Sequence, residues 1–318
     1  MNSTLFVGVD VSQRTLDIAI EGEAHGRVIA NRSCDIRTWL AQLPQRCSIG
    51  VESTGHYHQL LARHAIQAGH RVYVLNAQDL SHYAQSLGRR AKTDRLDAQL
   101  IARYLAREHQ DLHPYSLPTP LQGQIDELLS PRHTAVVMQA ALRQSFSAMN
   151  RKPRALARAQ RSIQALIKEL DERLKQLIDE DPQLALARQH LRSVVGFGPL
   201  LSGTLAHALT RHRFDNAEAF IAYIGYDPRV RDSGQHRGRR FLSKRGPAEL
   251  RRLLYVAAMA ACKTKLWAPF YQRYRARGLS TTATLVILAR KLARIAFSIV
   301  RYGTEFRPEL VKSACVQP

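Results

Sequence analysis

Acidic residues are scarce in this chain: its 318 residues hold 26 aspartates and glutamates against 47 lysines and arginines, a formal net charge of +21. Long apolar runs are scarce as well. The longest, Leu253 to Cys262, is ten residues, about half of what a membrane-spanning helix needs, so no transmembrane segment is expected. Cysteine is limited to Cys34, Cys47, Cys262 and Cys315, with no paired metal-ligand spacing; these read as reduced thiols, not as disulfides or a zinc site. No basic leader precedes the first apolar run, so no secretory signal is expected, and the location expected is cytoplasmic and nucleoid-associated. With membranes set aside, a charge of this sign points to nucleic acid.

The acids that exist are unevenly placed. Pro131 to Lys168 contains none, against eight basic residues, and Leu250 to Thr304 contains none, against eleven. A solvated helix usually mixes both signs, so tracts of one sign favour a surface that faces a polyanion.

Four carboxylates stand out against this background. Asp10 ends the apolar run Leu5-Phe6-Val7-Gly8-Val9, and Glu52 ends Ser48-Ile49-Gly50-Val51. Asp94 and Asp97 stand three apart at the start of a helical pattern, a spacing that puts both on one face. Acids at the ends of buried strands cost several kcal/mol unless a positive group meets them. A divalent metal is the usual answer, and hard oxygen ligands select Mg²⁺ or Mn²⁺. That combination points to phosphoryl-transfer chemistry.

The first part of the chain alternates strand and helix signals. Strands are expected at Leu5–Val11, Leu16–Ile20, more weakly at Arg27–Ala30, then at Ser48–Glu52 and Arg71–Leu75. Helices are expected at Tyr57–Ala68, Ala77–Leu87 and Thr93–Glu108, with Thr93 as N-cap of the last. A three-strand meander followed by alternating strands and helices is the element order of the ribonuclease-H-like α/β fold, so residues 1–115 are assigned to such a metal-binding domain. Pro114, Pro118 and Pro120 mark its end. Residues 116–182 read as two long helices, Leu121–Asn150 and Ala155–Glu180, whose apolar positions step by three and four. They suit either a coiled-coil spacer used in oligomerisation or a plain bundle layer. Residues 183–318 read as a mainly α-helical domain.

That last domain carries two further signals. Val194-Val195-Gly196-Phe197-Gly198-Pro199-Leu200, between helical stretches, fits a helix-hairpin-helix whose backbone N–H groups near Gly196 and Gly198 meet a phosphate; it also fits a plain tight turn. The second is basic and broken by glycine and proline. It runs from Gly225 through Arg229, Arg231, Ser233, Gly234 and Arg237 to Ser243-Lys244-Arg245-Gly246, ahead of an expected helix Ala248–Ala261 carrying Arg251 and Arg252. Ser233 there is either an ordinary surface-turn serine or a hydroxyl that attacks a phosphodiester while guanidinium groups stabilise the charge. Trp267, Phe270, Tyr271 and Tyr274 recur at helical intervals, as core or packing residues or as a base-stacking stripe. His56 and His58 read as polar surface.

These blocks, in order and over essentially the whole chain, resemble the DEDD-type transposases of bacterial insertion sequences, the bridge-RNA-guided recombinases related to Piv-type DNA invertases. Asp10, Glu52-Ser53-Thr54-Gly55-His56-Tyr57 and Lys92-Thr93-Asp94-Arg95-Leu96-Asp97-Ala98 carry the first half of the likeness. Val194 to Leu205, Ser233-Gly234, Ser243 to Gly246 and Leu250 to Leu254 carry the second. The resemblance implies a RuvC-like domain whose metal tetrad is Asp10, Glu52, Asp94 and Asp97, and a nucleophile, Ser233, that joins transiently to a DNA 5′ phosphate, with Ser243 as fallback. It implies as partners double-stranded donor and target DNA, a non-coding bridge RNA and further copies of the chain in a tetramer, where the metal domain of one subunit meets the serine domain of another. Arg229, Arg231, Arg237, Lys244, Arg245, Arg251 and Arg252 are expected on nucleic acid. The competing readings are a RuvC-like, metal-dependent, structure-specific endonuclease that uses water, and a binding protein with a dead nuclease fold.

Overall fold

Valines at every second position of Phe6–Val11 (β1) supply one strand face for a core and leave Gly8 and Asp10 on the other. β1 opens a meander through Thr15–Ile20 (β2) and Arg27–Ala30 (β3), both pairings antiparallel. Ser33–Leu40 (α1) crosses over to Ser48–Glu52 (β4), and His58–Gln67 (α2) to Arg71–Leu75 (β5); both new strands run parallel to β1. The five strands lie in the order β3-β2-β1-β4-β5. Ala77–Ser86 (α3) and Asp94–Glu108 (α4) complete the unit. The computed structural model describes residues 5–44, 46–53, 55, 57–88, 94–229 and 241–309, with backbone alone for 94–96.

Each sheet face has its own core. Val7, Val9, Ile49, Val51 and Val72 pack under Ile36 and Trp39 of α1 and Leu61 and Ala65 of α2. Tyr73 and Leu75 meet Leu80 of α3 and Ile101 and Leu105 of α4 on the other side. α1 was not expected from the sequence. His58, expected on the surface, is instead buried, with its ring edge-on to Tyr115 at 6.1 Å.

The chain divides after Leu117, and the second unit is helical. Pro120–Ser145 (α5) begins with a capping box in which Thr119 and Gln122 satisfy each other's backbone N–H groups. Arg154–Glu180 (α6) returns alongside it, followed by Pro182–Arg192 (α7), Pro199–Arg211 (α8) and Ala217–Tyr223 (α9). A short antiparallel pair, Pro228–Arg229 (β6) and Phe241–Leu242 (β7), precedes Ala248–Ala261 (α10), Ala268–Ala276 (α11) and Thr281–Tyr302 (α12).

The lower half of the α5–α6 pair shares one core with the later helices: Ile125, Leu174, Leu177 and Ile178 belong with Leu205, Leu254 and Leu288. The base of the expected spacer is therefore continuous with the helical unit. Further out, Val137 and Met138 on α5 and Leu166 on α6 stand exposed. Trp267 is fully buried and Phe270 packs edge-on to it, which settles the first half of that stripe as core. No helix among the described residues is long and apolar enough to cross a membrane.

Candidate active site

Two acids of the expected tetrad are aligned by register. Val9 on β1 pairs in parallel with Val51 on β4, so the next residues, Asp10 and Glu52, leave adjacent strands at the same level. Both alternate with glycines, Gly8 and Gly50, and lie on the sheet face that α4 covers. α4 comes unusually close there. A Cβ on Gly8 would fall 2.1 Å from the carbonyl oxygen of Ala98 and 2.3 Å from the nitrogen of Ala102. A Cβ on Gly50 would fall 3.0 Å from Ile101 Cγ2. At Gly8 only glycine admits the helix backbone, whereas Gly50 lies against side chains.

The same contacts set the helix direction. Phe6, at the start of β1, has its ring 4.7 Å from that of His109, beyond the end of α4, whereas Gly8 meets Ala98 and Ala102. Moving forward along β1 therefore moves backward along α4. The first turn of α4, with Asp94 and Asp97, points toward the strand ends that carry Asp10 and Glu52.

One acid was missed by sequence reasoning. Asp17 on β2 is the registered partner of Asp10, so the two share a sheet face. The signal was available: a strand turn of three residues between Val11 and Thr15 places positions 10 and 17 opposite each other. Among the described residues no group of three or more histidine, cysteine, aspartate or glutamate side chains is placed to hold a metal ion. The Asp94 side chain lies outside the described residues, as does Thr93. The donor chemistry that the strand ends offer, carboxylate oxygen without sulfur or imidazole, is the type that Mg²⁺ or Mn²⁺ takes.

The second unit builds a different centre around β6 and β7. Ser233, Arg231 and Arg237 lie between these strands and outside the described residues. The base of the pair is tightly made. Asp227 accepts the hydroxyl of Ser243, and its carbonyl accepts the Ser243 N–H at 2.9 Å. Two segments cross below: a Cβ on Gly225 would fall 2.1 Å from Arg245 O, and one on Gly246 would fall 1.9 Å from Tyr223 O. Both glycines hold positive φ, +71° and +74°. Lys244 between them is exposed and also left-handed, with φ +54°, an uncommon state for a residue with a side chain.

The basic residues divide by what they touch. Arg251 Nη1 donates to the carbonyls of Ile224, Arg245 and Gly246 at 3.1, 2.8 and 2.9 Å, so this guanidinium fastens the crossing loops. Arg252 donates twice to Glu249, at 2.6 and 2.7 Å. Glu249 also takes Arg132 of α5 at 3.3 Å, and Arg132 in turn holds Asp171 of α6 at 2.7 Å. Burial pushes the Glu249 carboxyl up, but the Arg252 hydrogen bond and the charges of Arg252, His133 and Arg132 outweigh it and hold it below the usual range. Arg251 and Arg252, expected on nucleic acid, are thus engaged within the unit. Arg229 differs: its Nη2 is buried with no hydrogen-bond partner among the described residues.

Gly196 and Gly198 also part company. A Cβ on Gly196 would fall 2.9 Å from that of Ala261, so this glycine is needed to pack against α10. Gly198 is the N-cap of α8 and faces open space, leaving the first turn of α8 as the part able to meet a phosphate.

Comparison with known proteins bears on both units. Residues 7–151 match a family model described as transposase, and residues 188–274 match the transposase IS116/IS110/IS902 family. The chain is 26% identical to the pilin gene-inverting protein of Moraxella lacunata, over 96% of this chain and 98% of that one. It is 24% identical to the transposase for insertion sequence element IS1328 of Yersinia enterocolitica, over 96% of this chain and 99% of that one. Among solved structures, RuvC of T. thermophilus in complex with a Holliday junction substrate is 15% identical, covering 36% of this chain and all of that one at a TM-score of 0.29.

Proposed function

The chain belongs to the IS116/IS110/IS902 transposase family, and we propose that it cuts and rejoins DNA through a covalent serine linkage under the direction of a non-coding RNA. Membership makes it a DNA transposase or recombinase. The observation that carries the metal half of the reading is the alignment of Asp10 with Glu52 beneath the incoming first turn of α4. Asp10, Glu52, Asp94 and Asp97 are the residues proposed to hold the cation in a RuvC-like domain. A divalent ion bound there would polarise the phosphate under attack.

The serine half rests on the arginine-rich segment between β6 and β7. In the proposed step Ser233 Oγ bonds to phosphorus as its proton passes to water. The P–O3′ bond breaks and the freed 3′ oxygen takes up a proton, leaving the 5′ phosphate esterified to serine. Attack by the 3′ hydroxyl of another strand reverses the sequence. One phosphoester replaces another, so rejoining needs no external energy source. Lys244 and Arg245, at the base of β7, are proposed to steady the neighbouring phosphates. A guide RNA would supply sequence recognition by base pairing, in keeping with a chain whose basic residues suit the backbone of a duplex. Exposed Val137, Met138 and Leu166 on the α5–α6 pair support a homo-oligomer that brings the two kinds of centre together from different subunits.

The deciding experiment incubates the full chain with the RNA that co-purifies with it, Mg²⁺ and labelled DNA, then resolves protein under denaturing conditions. The wild type forms a protein–DNA adduct, whereas Ser233→Ala and Asp10→Asn form none. Cleavage at full rate by Ser233→Ala would instead establish a water-using nuclease. RNA that co-purifies with the chain, once sequenced, should pair with both the element ends and the target.

A further inference from the structure

α12 stops at Gly303, whose left-handed φ of +61° turns the chain out of the helix. The segment that follows is pinned at Phe306. Its N–H donates to Ser193 Oγ at 2.8 Å, and its ring stacks on that of buried Trp267, with centroids 6.3 Å apart. Between this segment and the last turns of α12 lies an open cavity of about 330 Å³. Lys291, Ile295, Ser298 and Tyr302 line it from the helix, at steps of four, three and four residues that keep them on one face. Glu305 and Arg307 line it from the pinned segment.

The chemistry of the lining is mixed in a specific way. Ile295, Ile299 and Phe306 give the cavity apolar ground. Tyr302, at its edge, is 74% exposed, more than any other large apolar side chain among the described residues. A ring held out in water contributes little to the core but offers a flat face for stacking. Lys291 and Arg307 add two cations, and neither has an ion-pair or hydrogen-bond partner among the described residues. Glu305 is the first acid after Glu249. A carboxylate repels phosphate but accepts a hydroxyl proton, and the hydroxyls of Ser298 and Thr304 line the same cavity.

We propose that this cavity holds one unpaired nucleotide of RNA, with its base on the Tyr302 ring, its phosphate at Lys291 and Arg307, and its 2′-hydroxyl donating to Glu305. The assignment rests on the guide-RNA reading and gives that RNA a place on the chain. A cleft with apolar ground and one aromatic edge takes a base only when the base is unstacked, and RNA offers such bases in its loops and bulges. Duplex DNA offers none, and its sugar carries no 2′-hydroxyl for an acid to accept.

The test uses the full-length chain, freed of nucleic acid by high salt, and a labelled single-stranded oligouridylate carrying 4-thiouridine. Irradiation should cross-link this RNA to the tryptic peptide that begins at Tyr302. Cross-links that all lie elsewhere overturn the proposal. By fluorescence anisotropy Tyr302→Ala should weaken binding about ten- to a hundredfold, the loss of one stacked base, while Tyr302→Phe stays within about twofold. Both variants should melt as the wild type does, because the ring is exposed. Wild-type affinity in Tyr302→Ala overturns the proposal.

Arg307→Gln should lower the slope of log affinity against log salt by about 0.7, the value of one phosphate of a single strand, and an unchanged slope overturns the phosphate contact. Oligodeoxyuridylate of equal length should bind the wild type more weakly, and Glu305→Ala should narrow that difference. Equal affinity for DNA, with the same loss in Tyr302→Ala, overturns the assignment to RNA in favour of a single DNA strand. If the purified wild type carries no RNA and takes up none, the guide reading fails and the pocket with it. If it binds RNA and Tyr302→Ala binds as well, only the pocket fails, so the two failures are distinguishable.

Discussion

Gly8 and Ala98 are in backbone contact: there is no room for a single methyl group between β1 and α4. That contact sets how far the first turn of α4 stands from Asp10. Gly8→Ala should force the helix outward and cost about 3 kcal/mol, the upper part of the range for overpacking, because the obstructing atoms are backbone and cannot rotate away. Denaturant unfolding should show the loss. Adduct formation should fall further than stability does, since Asp94 and Asp97 move with the helix. A variant that unfolds normally and keeps wild-type activity would show that the spacing is not what the site needs.

Arg251 and Lys244 should separate structure from binding. Arg251→Ala leaves carbonyls of three residues without their donor and should destabilise the chain by about 2 to 3 kcal/mol, with the salt slope of DNA binding unchanged. Lys244→Gly should do the opposite. Glycine suits the left-handed φ of +54°, so melting should not fall, whereas the slope should drop by about 0.9 if Lys244 meets a phosphate.

How much of this was legible beforehand depended on the kind of signal. Alternation in β1 and β2, and the short apolar runs of β4 and β5 bounded by polar residues, made their limits readable to within a residue. α1 escaped because its apolar face, Ile36, Trp39 and Leu40, is short and Arg32 gives no side-chain cap. Asp10, Glu52 and the start of α4 were legible as strand-end and helix-start acids. Asp17 needed the β1–β2 register. The basic residues were the least legible. Charge reports composition, not direction, and nothing in the sequence tells that Arg251 points inward to carbonyls or that Arg132 reaches Glu249 from 117 positions away.

Acid should weaken the helical unit through His212. Burial, with Arg211 beside it, lowers its pKa from 6.5 to about 4, although Asp126 acts the other way and His207 adds to the lowering. The unfolded chain then binds a proton that the folded chain refuses. Stability from this group is complete above about pH 6.5 and declines as pH falls toward 4, by up to about 3 kcal/mol. His212→Phe keeps a ring against Tyr223, 4.9 Å away in the native chain, and removes the titration. Its melting temperature should be flatter than that of the wild type between pH 6.5 and 4. Equal slopes for both proteins would remove His212 as the cause.

The two serines of the basic segment should behave differently. Ser243 is buried, its hydroxyl donates to Asp227 and its oxygen accepts Arg245 N–H at 3.4 Å. A hydroxyl held on both sides in a closed corner has no open approach for a phosphorus atom, and its evident task is to join the start of β6 to the end of β7. Ser243→Ala should therefore cost about 1.5 to 3 kcal/mol, the worth of a hydrogen bond to a charged acceptor, and slow adduct formation by no more than about tenfold. Asp227→Asn keeps an acceptor and should be milder still. Ser233→Ala should leave no adduct at any time point. If the pattern were reversed, with adduct lost in Ser243→Ala at full stability and retained in Ser233→Ala, the nucleophile would be Ser243, with Asp227 as the base that takes its proton.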